Sequence, residues 1–216
     1  MSAKEVVVVD YQIGNVFSVC NAVSAAGCSP VLTGDPKRVA SAERLILPGV
    51  GAFARAMQEL EGHGLVEPIL DFVKTGRPFL GICVGMQMLM DESTEFGVNP
   101  GLGLIPGRVD RIPDTTEAGE PHPVPHISWG ALTTPPGASA DAWAGTPLEK
   151  LSPGRSSVYF VHSYMCNPTD QHALLATVDY DGRPLTAAIR KDNITGVQFH
   201  PERSGMAGQK VLAAFL

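Results

Sequence analysis

The sequence predicts an α/β fold: a mainly parallel central sheet flanked by helices, with an antiparallel strand extension in the second half. Three observations carry this. In the first half, short and wholly apolar runs alternate with segments of helical spacing. In the second half, strands follow one another through short turns. The chain has 216 residues and is 44% apolar, enough to bury one sizeable core, so residues 1–216 are expected to form a single domain.

The elements follow in order. VVVVD (6–10) is β-branched and apolar throughout, the pattern of a strand covered on both faces. NVFSVCNAVSAAG (15–27) places Val16, Val19, Cys20, Val23 and Ala26 at helical spacing, with Asn15 as the starting cap and Gly27 as a left-handed stop. PVLT (30–33) and RLILP (44–48) are strands, residues 64–75 a helix ended by Gly76, and PFLGI (78–82) another buried strand. CVGMQMLMDES (83–93) reads as the helix that follows it. The stretch 112–157 is rich in Pro, Gly and Thr and reads as a long surface excursion. VYFVHSY (158–164), ALLATVDY (173–180), LTAAIR (185–190) and ITGVQFH (194–200) are strands, with Asp181-Gly182 as one of their turns. Repeats and low-complexity tracts are absent.

Composition excludes several classes. Net charge is −6 without a basic run, which argues against nucleic acid as a partner. The longest apolar stretches fall far short of a membrane span. The N-terminal MSAKEVVVVD lacks the basic region, apolar stretch and cleavage site of a leader. Cys20, Cys28, Cys83 and Cys166 form no CxxC pair, as expected of reduced thiols in a cytoplasmic protein.

The chemistry concentrates at three places. In GICVG, Cys83 sits between Gly81 and Gly85 where a strand turns into a helix. Such a nucleophile elbow needs small neighbours, and a helix start favours the thiolate. The N–H of Val84 would then face an oxyanion. A buried cysteine in an ordinary tight turn has the same spacing. In VQFHPE, His200 ends a strand and Glu202 lies two residues on, the same side of an extended backbone, where a carboxylate can orient an imidazole. In LPGVGAF (47–53), a strand ends in Pro-Gly-Val-Gly, a backbone able to offer N–H groups and to change conformation. All three lie at C-terminal ends of strands, where open α/β sheets place their sites.

GICVGMQ together with VQFHPE resembles the class I glutamine amidotransferase domains. Among them, DYQIGNVFSV (10–19), LPGVGAF, FLGICVGMQML (79–89), VPHISWG (124–130), YFVHSY (159–164) and GVQFHPERS (196–204) resemble the glutaminase subunits of imidazole glycerol phosphate synthase, in the same order and over nearly the whole chain. The resemblance implies a flavodoxin-like core and a Cys83-His200-Glu202 triad that takes ammonia from glutamine. It implies oxyanion donors at Val50 and Val84 and substrate contacts at Gly51 and Gln87, with Ser163 and Tyr164 holding the α-amino and carboxylate groups. It implies no metal and no cofactor. It also implies a (βα)8 cyclase partner in a heterodimer that makes imidazole glycerol phosphate and AICAR in histidine biosynthesis. Tyr11, His126, Trp129 and His162 lie in family-like segments, as packing residues or at the partner interface. Ser128 and Gly130 stand where the family usually shows glycine and asparagine, Met165 where an aromatic is common, and Arg203 where lysine is usual. These departures leave room for a glutaminase serving a different synthase, such as one aminating a surface sugar. A non-catalytic scaffold subunit is the alternative from another class, and the intact Cys83, His200 and Glu202 argue against it.

Overall fold

The computed structural model describes residues 4–139 and 141–216. The reading of the N-terminus as lacking a leader touches residues 1–3, which lie outside the described residues. The first half runs β1 (Glu5–Val9), α1 (Val16–Ala25), β2 (Ser29–Thr33), α2 (Pro36–Ser41), β3 (Leu45–Gly49), α3 (Phe53–Gly62), α4 (Val66–Lys74), β4 (Phe79–Cys83) and α5 (Val84–Gln87). The second half runs β5 (Met90–Ser93), β6 (Asn99–Pro100), β7 (Ile105–Arg111), β8 (His126–Thr133), β9 (Ser157–His162), β10 (Tyr164–Pro168), β11 (Leu174–Tyr180), β12 (Arg183–Lys191), β13 (Ile194–Val197) and α6 (Gly205–Phe215).

Among the described residues the main sheet has nine strands in the order β2-β1-β3-β4-β13-β12-β11-β8-β9. The first five are parallel, and the rest add antiparallel. This is the predicted class: a doubly wound parallel half with an antiparallel extension. Val6 to Val9 are fully or almost fully buried, because helices cover both faces of β1. Packing α1 beside α6 and α2 beside α4 completes the layers. Gly27 ends α1 at φ +86, as its position predicts. Asn15 makes no side-chain capping bond among the described residues, so that part of the expectation fails. A second sheet, in the order β10-β7-β5-β6, lies beside the first.

Four further expectations are corrected. The helix predicted over 83–93 is one turn long, and the chain then becomes β5. The carbonyls of Met88, Leu89 and Met90 accept N–H groups from residues 102–105, which draw the chain out of the helix. Every residue from Phe79 to Met90 is buried, so this stretch has no polar face to show a helical period. The stretch 112–157 is not a surface excursion throughout. It contributes β8 to the main sheet, buries Leu132, Trp143 and Leu148, and anchors Trp143 by an indole N–H bond to the Leu175 carbonyl at 2.9 Å. VYFVHSY is two strands, not one: β9 pairs with β8, the chain breaks at Ser163, and β10 pairs with β7 in the other sheet. The strand read over 194–200 ends at Val197, leaving His200 outside the ladder.

Candidate active site

The elbow comes first. Cys83 ends β4 with φ 54 and ψ −113, a backbone region that side chains other than glycine rarely adopt. The framing glycines explain how that conformation is reached. A Cβ on Gly81 would lie 2.6 Å from the carbonyl oxygen of Gly85, and one on Gly85 would overlap the carbonyl of Leu47. The turn is tight enough that neither position has room for a side chain. Because α5 is a single turn, what it offers at Val84 is a local N–H of a first turn, not the dipole of a long helix.

His200 approaches from the neighbouring strand. β13 pairs in parallel with β4, Val197 opposite Ile82, so the residues after Val197 run alongside Cys83. The His200 backbone is clamped: its N–H donates to the Tyr159 carbonyl at 3.0 Å, and its carbonyl accepts from Ser204 Oγ at 2.6 Å. Its ring Nδ1 lies 2.8 Å from Glu202 Oε1. Burial, the largest single influence, disfavours the imidazolium. Hydrogen bonds to Cys83 and Glu202, with their negative charge, together outweigh it and push the His200 pKa up to about 10. The second Glu202 oxygen, Oε2, is buried with no hydrogen-bond partner among the described residues. The imidazolium is therefore the main compensation for that carboxylate.

The loop after β3 forms the opposite wall. Tyr11 is fully buried and donates its hydroxyl to the Pro48 carbonyl at 2.7 Å, fixing the start of the loop. Burial, then the Cys83 charge, raises its pKa, so it stays a donor. Gly49 is packed, with an added Cβ lying 2.7 Å from Gly85 N and 2.9 Å from Tyr11 Oη. Gly51 differs. It has φ +86 and open space around it, so the conformational freedom of the loop resides there.

These walls enclose a pocket of about 340 Å³. Cys83 and His200 line it together with Val50, Gly51, Val84, Gln87, Ser163 and Tyr164, while Glu202 stands behind His200, off the wall. The structure thus brings together every site residue read from the sequence. Glu95 also lines the pocket and accepts the Phe53 N–H at 2.6 Å, tying the start of α3 to the loop 94–98. No local pattern marks Glu95.

A hydrogen-bonded chain runs behind the pocket. The Tyr164 carbonyl only accepts, so His162 Nδ1 donates to it at 2.9 Å. Burial lowers the pKa of both His162 and His126 to about 4, so both are neutral at pH 7. His162 Nε2 must then accept from His126 Nδ1 at 3.2 Å, and His126 Nε2 from Ser128 Oγ at 2.7 Å. On the other side, Gln87 Nε2 donates to the same carbonyl at 3.1 Å and to Gln198 Oε1 at 3.0 Å. Gln198 Nε2 lies 3.6 Å from Cys83 Sγ. Tyr11, His126 and His162 are buried, whereas Trp129 is 57% exposed. Gly130 is a packing requirement, since a Cβ there would overlap Val178. Arg203 is exposed and Met165 half-buried, and nothing in the structure explains either choice.

Comparison with known proteins agrees with this architecture. The family described as glutamine amidotransferase class-I matches residues 7–216. The chain is 46% identical over 211 residues to imidazole glycerol phosphate synthase subunit HisH of Syntrophotalea carbinolica, covering 97% of this chain and 98% of the relative. It is 44% identical over 209 residues to subunit HisH 1 of Legionella pneumophila strain Lens, covering 97% of both chains. Among solved structures, PurLQS from Thermotoga maritima superposes with a TM-score of 0.71 at 20% identity, over 99% of this chain and 97% of that one. A crystal structure of a glutamine amidotransferase superposes at 0.67 and 17% identity, over 94% of this chain and 93% of the other. The chain belongs to the class-I glutamine amidotransferase family.

Proposed function

We propose that this chain is the glutaminase subunit of an imidazole glycerol phosphate synthase, acting as one domain over residues 1–216. The near full-length likeness to subunits of that name supports the pathway. The observation that carries the chemistry is a strained cysteine in a pocket of about 340 Å³ beside a histidine whose ring is held by a buried glutamate at 2.8 Å.

The reaction is amide hydrolysis in two steps. The Cys83 thiolate attacks the side-chain carbonyl carbon of glutamine, with the developing oxyanion received by the N–H groups of Val84 and Val50. The C–N bond breaks as His200, held protonated by its partners, gives its proton to the departing nitrogen, and ammonia leaves. Neutral His200 next takes a proton from water, hydroxide attacks the thioester, and the C–S bond breaks to release glutamate and restore the ion pair. Glu202 orients His200 throughout. Gly51 and Gln87 border the side-chain end of the substrate, Ser163 and Tyr164 its α-amino and carboxylate end, and the Glu95 carboxylate supplies negative charge for the α-ammonium.

The ammonia passes to a cyclase subunit, a (βα)8 protein in a heterodimer with this chain. Ile127 and Trp129, both 57% exposed on β8, with Val161 on the adjacent β9, give an apolar face beside the pocket for that contact. Among the described residues no helix is long and apolar enough to cross a membrane.

The test is a division of labour. With the cyclase, Cys83→Ala abolishes glutamine-dependent synthesis of imidazole glycerol phosphate and keeps synthesis from added ammonia. Loss of both, or of neither, sinks the proposal. Co-purification with another synthase in place of the cyclase would assign the same glutaminase chemistry to a different product.

A further inference from the structure

Gln198 follows β13 directly and is fully buried. The parallel register that sets Val197 opposite Ile82 brings the next residue of each strand, Gln198 and Cys83, side by side. Its Nε2 lies 3.6 Å from Cys83 Sγ. An amide fits its density of contacts either way round, so the neighbours decide which atom faces the sulfur. The Tyr164 carbonyl accepts only, which fixes Nε2 as the Gln87 atom beside it at 3.1 Å. The same Gln87 Nε2 lies 3.0 Å from the Gln198 amide, so the Gln198 atom facing it is the acceptor Oε1. Gln198 is left with one orientation, N–H toward the sulfur. The flipped amide would set Oε1 against a thiolate and repel it.

We propose that Gln198 is a further catalytic residue of this site: its side-chain N–H holds Cys83 as the thiolate, with the direction of the amide imposed by Gln87 and the Tyr164 carbonyl. The proposal rests on Cys83 being the nucleophile. Hydrogen bonds to an ionised acceptor are about twice as strong as neutral ones, and the buried setting strengthens this one further. The bond acts twice in a cycle. It stabilises the thiolate before attack, and it receives the same sulfur when the thioester C–S bond breaks and sulfur leaves with the electron pair. His200 supplies the proton chemistry and Gln198 moves none. Gln198 does not line the pocket wall, so its loss should fall on kcat and leave KM for glutamine nearly unchanged.

The experiment is the pH dependence of Cys83 alkylation by iodoacetamide in the full-length chain. Mass spectrometry of the Cys83 peptide separates it from the partly exposed Cys20 and Cys28. At pH 7 wild-type Cys83 should be alkylated faster than Cys20 and Cys28. Gln198→Leu should move the midpoint up by about one pH unit, roughly a tenfold loss of rate on the acid side. Because Gln198→Leu alters a buried position, the unsubstituted chain provides a second readout. The Gln198 side-chain amide protons, followed by NMR, should titrate with the midpoint of Cys83 alkylation, and that titration should vanish in Cys83→Ala. An unchanged midpoint in folded Gln198→Leu, or an amide signal flat through the wild-type midpoint, overturns the proposal. A wild-type Cys83 no more reactive than an ordinary thiol overturns the nucleophile reading itself.

Discussion

Glu202→Gln tests the orienting carboxylate with the smallest change of shape. The wild-type contact is 2.8 Å from His200 Nδ1 to Glu202 Oε1, and Oε2 is buried without a partner. An amide at this position has two placements, and both cost free energy. With its oxygen toward Nδ1, the NH2 group fills the Oε2 site, where an unsatisfied buried donor costs about 1–3 kcal/mol. With its NH2 toward Nδ1, the ring is forced to carry its proton on the other nitrogen, a tautomer unable to act as a base. The analogous change in a serine-protease triad costs about 10⁴ in kcat. Either placement also removes the negative charge, which lowers the His200 pKa from about 10. The expected loss in glutamine-dependent kcat lies between about fivefold and 10⁴. KM should change little, because Glu202 stands off the pocket wall. The assay is steady-state kinetics with the cyclase partner at several pH values, with ammonia-dependent synthesis as the control for folding and assembly. A glutamine-dependent kcat within about threefold of wild type would refute the reasoning, since no transition-state contact would then have been lost.

Other consequences are simpler to state. His126 and His162 are lowered to about 4 from 6.5 by burial. The unfolded chain therefore binds more protons between those values, and stability should fall as pH drops through that window, by at most about 1.4 kcal/mol per pH unit for each ring. Urea unfolding at pH 7 and 5 checks this, and an equal slope in a folded His162→Gln variant would contradict it. Ser128→Ala leaves His126 Nε2 without its donor and should cost about 1 kcal/mol in the same assay. The isolated chain should hydrolyse glutamine slowly, with the partner and its ligand raising kcat, because reorientation of the peptide between Gly49 and Val50 supplies an oxyanion donor. Gly49 cannot be used to test that reorientation, since any side chain there meets Tyr11 and Gly85. Gly51→Ala, strained at φ +86 in open space, should blunt the acceleration, and full acceleration in that variant would count against the loop.

The parallel half of the fold was legible because its strands are continuous apolar runs and its turns carry glycine at positive φ. What escaped notice divides by cause. Helix α3 has Phe53, Ala56, Met57 and Leu60 buried at helical spacing, and Asp35 caps α2 by accepting the Lys37 N–H ahead of Pro36. Both signals are present in the sequence, the first as helical spacing and the second as an Asp-Pro start. The turn from α5 into β5 left no signal, because uniform burial erases periodicity. β8 was hidden by composition. Its segment is rich in residues that favour turns, yet Leu132 and Trp143 are core.

The site was legible for a different reason. Cys83 and the Pro-Gly-Val-Gly loop end β4 and β3, His200 lies three residues beyond the end of β13, and adjacent parallel strands bring such ends together whatever lies between them. Glu202 was legible as a neighbour of His200, but not by the extended backbone expected: a 3-10 turn over Pro201–Arg203 brings its carboxylate to the ring. Gln198, Tyr11, Ser204 and Glu95 act across separations of 115, 37, 45 and 42 residues, through single hydrogen bonds to Cys83, Pro48, Tyr159 and Phe53. Such partners leave no local pattern. Yet they shape the site: Tyr11 fixes the start of the loop after β3, Ser204 holds the Tyr159 N–H, and Glu95 joins the loop 94–98 to α3. A sequence can thus announce which atoms react, while the groups that set their protonation and aim emerge only when the strands are laid side by side. The direction of the Gln198 amide is the plainest case. It follows from one accepting carbonyl, at Tyr164, and no residue within thirty positions of Gln198 on either side fixes it.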